Sequence, residues 1–576
     1  MTVTTSPSPT LRTLVFPSTP KPQFPELADP RFSPSSHPVA ICFSGGGPRS
    51  FAASVGQMRG FRSLPLYNLV GAISVVSGGS WFGSLFTFAN PVIPDEDLLG
   101  VAMKPGDLTL SNIASVPHNC IGFGLTQANN KRVFDSIAGS LLSGVPSNRL
   151  YARILNSVYC SPFDIDDVNK FFSLDAASVA ALVANNTPGL TADDFYVVRP
   201  QRPYLVAGAT QVYPTDEQLV MRHFEYSPLY QGTEQLFPAG SLPNSYQFGG
   251  GFLQTFAMDS SAPQTPNPQG LVTVSAPLHR FTISDMMGSS GAAPGSILDK
   301  LGLPSLFAEF HYWPPQNAGA TPDPTVQKLS IVDGGDLENT GIVAMLRRQY
   351  PVIICCINTS TPMNPDWKTN PTKGTYEGVD AQVSGLFGFM ASTTTASREI
   401  RERAVEMMAG PAPVAMMQMS AEMQAPKSMR FSIPQQNIQV FPQSEWPAVQ
   451  QGLMKALASG GPVWTASEHT IQPDNPFGIP PYPADGKVTV IWLYNQKIAE
   501  WVSALQPDVR NFLSSTNKRN FMANFPNYET VFQNKDLIGI PELLLLTPQQ
   551  VNLLGNMWQW AVEEIADDIQ KVVDKR

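Results

Sequence analysis

The chain is poor in charge and has no block of positive charge: 37 Lys and Arg stand against 46 Asp and Glu, and no basic run exceeds two residues. Such a surface lacks the footprint that grips a polyphosphate backbone, so nucleic acid is not expected as a partner. Cysteine is also scarce. The five, at positions 42, 120, 160, 355 and 356, show neither CxxC nor zinc-site spacing, which predicts small buried residues in a reducing compartment. No stretch of 18 residues stays apolar enough to cross a bilayer. Met1 to Pro38 is rich in Pro, Ser and Thr and lacks the basic and apolar regions of a secretory signal. These absences predict a cytoplasmic protein whose contact with membranes is peripheral at most.

What is present suits a large ordered protein. Apolar residues make up 43% of the chain, enough for a sizeable core, and 54 prolines imply many rigid connections. Pro38 to Phe43 reads as a buried strand, followed by the glycine-rich Ser44-Gly-Gly-Gly-Pro-Arg49 and a helix over 50–62. Val70 to Val76 is a second apolar run that breaks at Ser77-Gly-Gly-Ser-Trp81 into another helix. Tyr204 to Ala209, His223 to Tyr226, Leu329 to Val332, Pro351 to Ile357 and Val488 to Trp492 are further strands, with a helix from about Asn339 to Arg348. The alternation predicts an α/β fold: a central, mainly parallel sheet flanked by helices. Residues 1–37 are expected to be an arm and 38–576 one catalytic domain, with cap or insertion regions at 230–325 and 360–487. A final helix is announced by Thr547, Pro548 and Gln550, a cap, an N1 proline and a capping-box glutamine.

Three places carry residues suited to chemistry. Ser77 lies where a strand turns into a helix beginning with two glycines, a geometry that lifts a hydroxyl out of a sheet. The alternative is a buried turn serine. The glycines of Ser44 to Arg49 can turn successive N–H groups toward one point at a helix N-terminus, as an oxyanion requires, or can simply form a tight turn. A Walker loop would need Gly-Lys-Ser/Thr, and a dinucleotide fingerprint would need glycine where Ser50 stands; both are missing. Asp333 ends a strand before two glycines, which suits a catalytic carboxylate or a turn. Asp164-x-Asp-Asp167 lacks the later glycine and glutamate of a calcium loop and reads as a helix start. The methionines at 407, 408, 416, 417, 419 and 423, with Leu386, Phe387, Phe389 and Met390 upstream, suit core or cap packing better than a soft lipid-touching lid.

Taken together, the order and spacing resemble the patatin-like and cytosolic phospholipase A2 superfamily. Ser44-Gly-Gly-Gly-x-Arg49 resembles the SGGGxR loop of the cytosolic phospholipase A2 branch. Ser77-Gly-Gly-Ser-Trp81 resembles the SGGSW elbow of fungal phospholipase B (lysophospholipase), and Val332-Asp-Gly-Gly-Asp336 with Asn339 resembles VDGGED…N. Fainter likeness extends to Phe224-Glu-Tyr-Ser-Pro228 and to Asn524-Phe-Pro-Asn-Tyr-Glu-Thr530. The resemblance implies a lipid acyl hydrolase without metal or other cofactor, acting on phospholipid or lysophospholipid at a membrane or micelle surface. It implies Ser77 as nucleophile, Asp333 as base, the amides at Gly45, Gly46 and Gly47 as oxyanion hole, and Arg49 as phosphate ligand or brace. Calcium-dependent docking in relatives uses a separate C2 domain, and residues 1–37 are too short for one. Two departures stand out: Val75 where the family has glycine, and Tyr350 in place of a second phosphate-facing arginine, with Arg347 and Arg348 close by. None of the six histidines lies in a motif that would complete a triad. Transacylation and a catalytically silent lipid-binding protein are the competing readings.

Overall fold

The computed structural model describes the chain except residues 1–8, 19–23, 215–218, 235–248, 262, 269, 292–307, 316–325, 366–368, 371–374, 377, 390–436, 484–485, 515–521, 523 and 529–543. The methionines at 407–423 and Met390 therefore lie outside the described residues.

Three fully buried strands form the centre: β2 (Val39–Phe43), β3 (Val70–Val76) and β13 (Val352–Ile357), with β1 (Thr10–Pro17) toward one edge of the same sheet. Strands covered on both faces read as continuous apolar runs, which is why VAICF, VGAISVV and VIICCI were legible. Alternate side chains serve opposite faces: Val39, Ile41, Phe43 and Val352, Ile354, Cys356 join one core, Ala40, Cys42 and Ile353, Cys355 the other. The helices α1 (Gly47–Arg62) and α2 (Gly78–Phe88) cover the first face with the helix Pro548–Glu564, which a last short helix, Ala566–Val573, follows. Phe387, Trp446 and Trp492 pack in the second.

The α/β class holds, but the sheet is mixed. Its order is β10-β1-β9-β8-β7-β6-β3-β2-β13-β17-β16, where β6 is Tyr204–Pro214, β7 Leu219–Tyr226, β8 Tyr230–Thr233, β9 Gly251–Gln254, β10 Leu271–Ser275, β16 Trp464–Thr470 and β17 Lys487–Tyr494. Two more strands, β11 (Ala308–Tyr312) and β12 (Gln327–Asp333), join beside β6. Short pairs β4/β5 (Phe171–Ser173, Phe195–Val197) and β14/β15 (Thr369–Asn370, Thr375–Tyr376) stand apart. Within the main sheet parallel pairing is confined to β6-β3-β2-β13-β17 and the wings are antiparallel; the separate β4/β5 pair is parallel. Three residues, Ser227 to Leu229, join β7 to β8, and a link that short permits only an antiparallel hairpin.

Three expectations change. The described residues of 1–37 are not a free arm: β1 pairs with β9 and β10, and Glu26 reaches Arg348 at 2.7 Å and the Tyr230 hydroxyl at 2.6 Å inside the protein. The described parts of 230–325 extend the main sheet through β8, β9, β10 and β11 rather than standing off it as a cap. Asp164 does not start a helix. It takes a left-handed conformation, φ 58°, after the turn Ser161–Phe163 and accepts a hydrogen bond from Asn90.

The Pro548–Glu564 helix starts with the expected capping box, Thr547 accepting from Gln550 N. It crosses α1 so closely that a Cβ on Gly56 would sit 2.1 Å from the Gly555 carbonyl. Backbone cannot yield there as a flexible side chain can. Gly56→Val should therefore destabilise by about 1–3 kcal/mol or more, read as a lower melting temperature. Gly139→Ala, with no neighbour within 4 Å on the helix Asn130–Leu142, should leave the melt unchanged or raise it.

Candidate active site

Strand β3 delivers Ser77 into the first turn of α2 with φ 53° and ψ −124°, a conformation that costs a non-glycine residue about 1–3 kcal/mol. Close packing holds it there. A Cβ on Gly78 would lie 2.1 Å from the Gly47 carbonyl, so the elbow and the glycine loop meet backbone to backbone. Val75 is accommodated from the other side: a Cβ on Gly83 would come within 2.7 Å of its Cγ1. The helix gives up a side chain so that the strand can keep one. Ser80 donates its hydroxyl to Ser77 O at 2.6 Å, and Trp81 Nε1 donates to Met287 O at 3.2 Å, tying the elbow helix to the helix Ile283–Ser290.

Ser77 and Asp333 meet because β3 and β12 end against each other. Strand β6 is longer than β3, and its other edge is taken by β7. β3 pairs with β6 in parallel as far as Val76 opposite Gly208; β12 pairs with it antiparallel, ending with Asp333 opposite Ala209. The two strands thus share one edge of β6 and approach head-on. Both must turn away at the junction, which leaves their last side chains face to face. Ser77 Oγ donates to Asp333 Oδ2 at 2.8 Å, and Gly335 N donates to Asp333 Oδ1 at 2.7 Å. Only 6% of Ser77 and 3% of Asp333 is exposed, so the pair is sheltered from water. Asp336 lies at the rim: its surface reaches solvent, yet the protein crowded around it and then the Asp333 charge push its carboxyl upward.

The glycine loop faces the elbow from β2. Gly46 (φ 140°) and Gly47 (φ 56°) turn the backbone into α1, where Pro48 carries no N–H and Ser50 N donates to Gly46 O at 3.3 Å. Gly45 differs from expectation: its N–H donates to Asn339 O at 2.9 Å and is not available as an oxyanion donor. The expected phosphate contact at Arg49 also changes. Arg49 is buried, its Nε donates to Asn358 O at 2.9 Å, and its Nη1 donates to Tyr528 O. It braces the loop against two carbonyls. Arg347 and Arg348 are likewise internal, pairing with Glu225, Glu234 and Glu26. Tyr350 is buried and donates its hydroxyl to Phe32 O.

The Ser77 hydroxyl meets a carboxylate and no histidine. The His223 ring contacts Arg347, and burial together with that charge pushes it down to about 3. Among the described residues no group of three or more His, Cys, Asp or Glu is placed to hold a metal ion, all five cysteines are buried and free, and no helix is long and apolar enough to cross a membrane.

Two residues near the pair escaped sequence reasoning. Ser290 accepts from Ser77 N at 3.3 Å, and the only hint was the capping box Thr282 and Asp285 that starts its helix. Tyr151 carries a buried hydroxyl that no described residue reaches by a hydrogen bond. Burial first, then Tyr159 and Asp333, push that hydroxyl well above its ordinary range. No local pattern marks it, since it lies inside the short helix Leu150–Leu155.

Neither family models nor curated protein sequences match the chain. Among solved structures, human GIVD cytosolic phospholipase A2 aligns with 93% of this chain and 62% of its own length, at 12% identity and a TM-score of 0.43. The same human enzyme in complex with methyl gamma-linolenyl fluorophosphonate aligns with 93% of this chain and 58% of its own, at 12% identity and a TM-score of 0.38. The chain thus spans about three-fifths of that enzyme's length, and a likeness this loose transfers no residue roles.

Proposed function

We propose that this chain is a lipid acyl hydrolase of the cytosolic phospholipase A2 and fungal phospholipase B type. It cleaves acyl esters of glycerophospholipids or lysophospholipids at a membrane or micelle surface. The observation that carries the chemistry is the 2.8 Å contact between Ser77 Oγ and Asp333 Oδ2. A serine hydroxyl is a weak nucleophile until a base takes its proton, and a carboxylate within hydrogen-bond reach in a sheltered site can do so without histidine. The lipid class rests on the motif resemblance at Ser44 to Arg49, Ser77 to Trp81 and Val332 to Asp336.

In this reading Ser77 attacks the ester carbonyl as its proton passes to Asp333. The amides of Gly46 and Gly47, with the N-terminus of α1, receive the oxyanion, and Asp333 returns the proton to the leaving alcohol. Water then releases the fatty acid with Asp333 again as base. Gly335 N holds the second carboxylate oxygen, so only Oδ2 faces the hydroxyl. The brace at Arg49 keeps the oxyanion donors in place; it does not contact the headgroup.

Ser77→Ala should abolish labelling by a fluorophosphonate and lower turnover by about 10³-fold or more. Asp333→Asn should cause a comparable loss with folding retained; wild-type rates in that variant would remove the dyad. Arg49→Lys should lower the rate about tenfold or more, equally on a phospholipid and on a short-chain soluble ester, because a brace acts on both. A loss confined to the phospholipid would return Arg49 to headgroup binding. Burial and then the Asp333 charge push the Asp336 carboxyl upward, so Asp336 still holds its proton where the Asp333 charge is already present, and Asp336→Asn should leave the acid limb of the pH–rate profile in place.

A further inference from the structure

Where β3 and β12 butt against each other, the sheet runs out of backbone partners. Val76 opposite Gly208 is the last pair between β3 and β6, and the next residue, Ser77, turns away with its N–H still pointing out of the strand. A buried N–H left without an acceptor is costly, and an unanchored elbow in a disfavoured conformation has nothing to hold it there. One hydroxyl meets both needs. Ser290 Oγ accepts from Ser77 N at 3.3 Å and donates to Gly208 O at 2.6 Å. It stands in the ladder as a side-chain rung: N–H of β3 to Oγ, then O–H to the carbonyl of β6. Gly208 is next to Ala209, the partner of Asp333. The rung therefore ties the nucleophile's backbone to the stretch of β6 that also registers the carboxylate.

The residue bearing this hydroxyl is itself held in place. The helix Ile283–Ser290 is anchored at its start by the capping box Thr282 and Asp285 and by Arg149, whose Nη1 reaches Asp285 Oδ2 at 2.9 Å with both side chains buried. Midway, Met287 O accepts from Trp81 Nε1 on the elbow helix. Ser290 ends the helix with no exposed surface.

We propose that Ser290 is a positioning residue for the reaction: its hydroxyl holds the Ser77 backbone so that Oγ stays within reach of Asp333. This rests on the hydrolase reading of the Ser77 site. It also assigns the Ser77 amide to structure, which leaves the oxyanion to the glycine loop.

The test is Ser290→Ala beside Ser290→Thr, read by deuterium exchange at the Ser77 amide, by kcat and KM on phosphatidylcholine in detergent micelles, and by thermal melting. In Ser290→Ala the Ser77 amide should exchange about tenfold faster or more, and kcat should fall about 10- to 100-fold. KM should stay within about twofold and the melt should fall modestly, because Ser77 N–H and Gly208 O lose their partner; Ser290→Thr, which keeps the hydroxyl, should recover most of kcat and of the melt. Unchanged amide protection or an unchanged kcat in Ser290→Ala would overturn the proposal. So would an equal loss in Ser290→Thr with a lowered melt, which marks plain core packing. If the wild type itself hydrolyses no acyl ester, the functional reading fails, and amide exchange still decides whether the rung exists.

Discussion

The site depends on the edge of one strand. β6 carries β3 along its first half and β12 along its second, and because β7 occupies the opposite edge, the two must run toward each other on the same side. Two adjacent residues, Gly208 and Ala209, then register Val76 and Asp333. The hydroxyl and the carboxylate come from places 256 positions apart in the chain, yet their separation is set across one step of backbone. A strand is a stiff ruler with a rise of about 3.3 Å per residue, so this arrangement places the pair more tightly than two loops could. The chain beyond each end has no room to continue, and the turns that result, the elbow at Ser77 and the Gly334–Asp336 turn, leave the hydroxyl and the carboxylate facing each other.

Around that junction the protein uses arginines as internal braces. Arg49 links the glycine loop to the backbone at Asn358 and Tyr528, and Asn358 N donates in turn to Ser44 Oγ at 2.8 Å, so the loop is held from both the sheet and the C-terminal segment. Asn527 continues the tie, its side-chain amide reaching Thr359 O and Asn495 O at 3.1 and 2.8 Å. Arg348 does the same for the N-terminal segment through Glu26 and Glu225. Burial would raise Glu225, but Arg348, His223 and Arg347 together outweigh it, and its carboxyl is held down to about 2. A buried charge is tolerable only when paired and hydrogen-bonded, and these arginines are.

The residue-level reading failed where burial, not identity, decides a role. Arginine in a glycine loop suggests an anion, yet the interior supplies carbonyls that reach Arg49 first. Gly45 looked like an oxyanion donor because its neighbours do, but Asn339 O takes its amide. Val75 stood out as a departure from the family pattern, and Gly83 on α2 makes room for it. Each outcome depends on a partner tens or hundreds of positions away, which no local pattern announces.

The sequence alone determined the central strands, because stretches buried on both faces must be continuously apolar, and it marked Ser77, the glycine loop and Asp333, because sharp turns at strand ends need small residues beside them. It also placed the capped helix from Thr547, Pro548 and Gln550. Tertiary structure alone decided that β1 belongs to the sheet and that the sheet is mixed. It decided too that Ser77 and Asp333 meet along one edge of β6 and that Ser290 links Ser77 N to Gly208 O. The physical reason is one of range: periodicity and turn chemistry act over a few residues, whereas strand order and register are settled only when distant segments compete for the same edge.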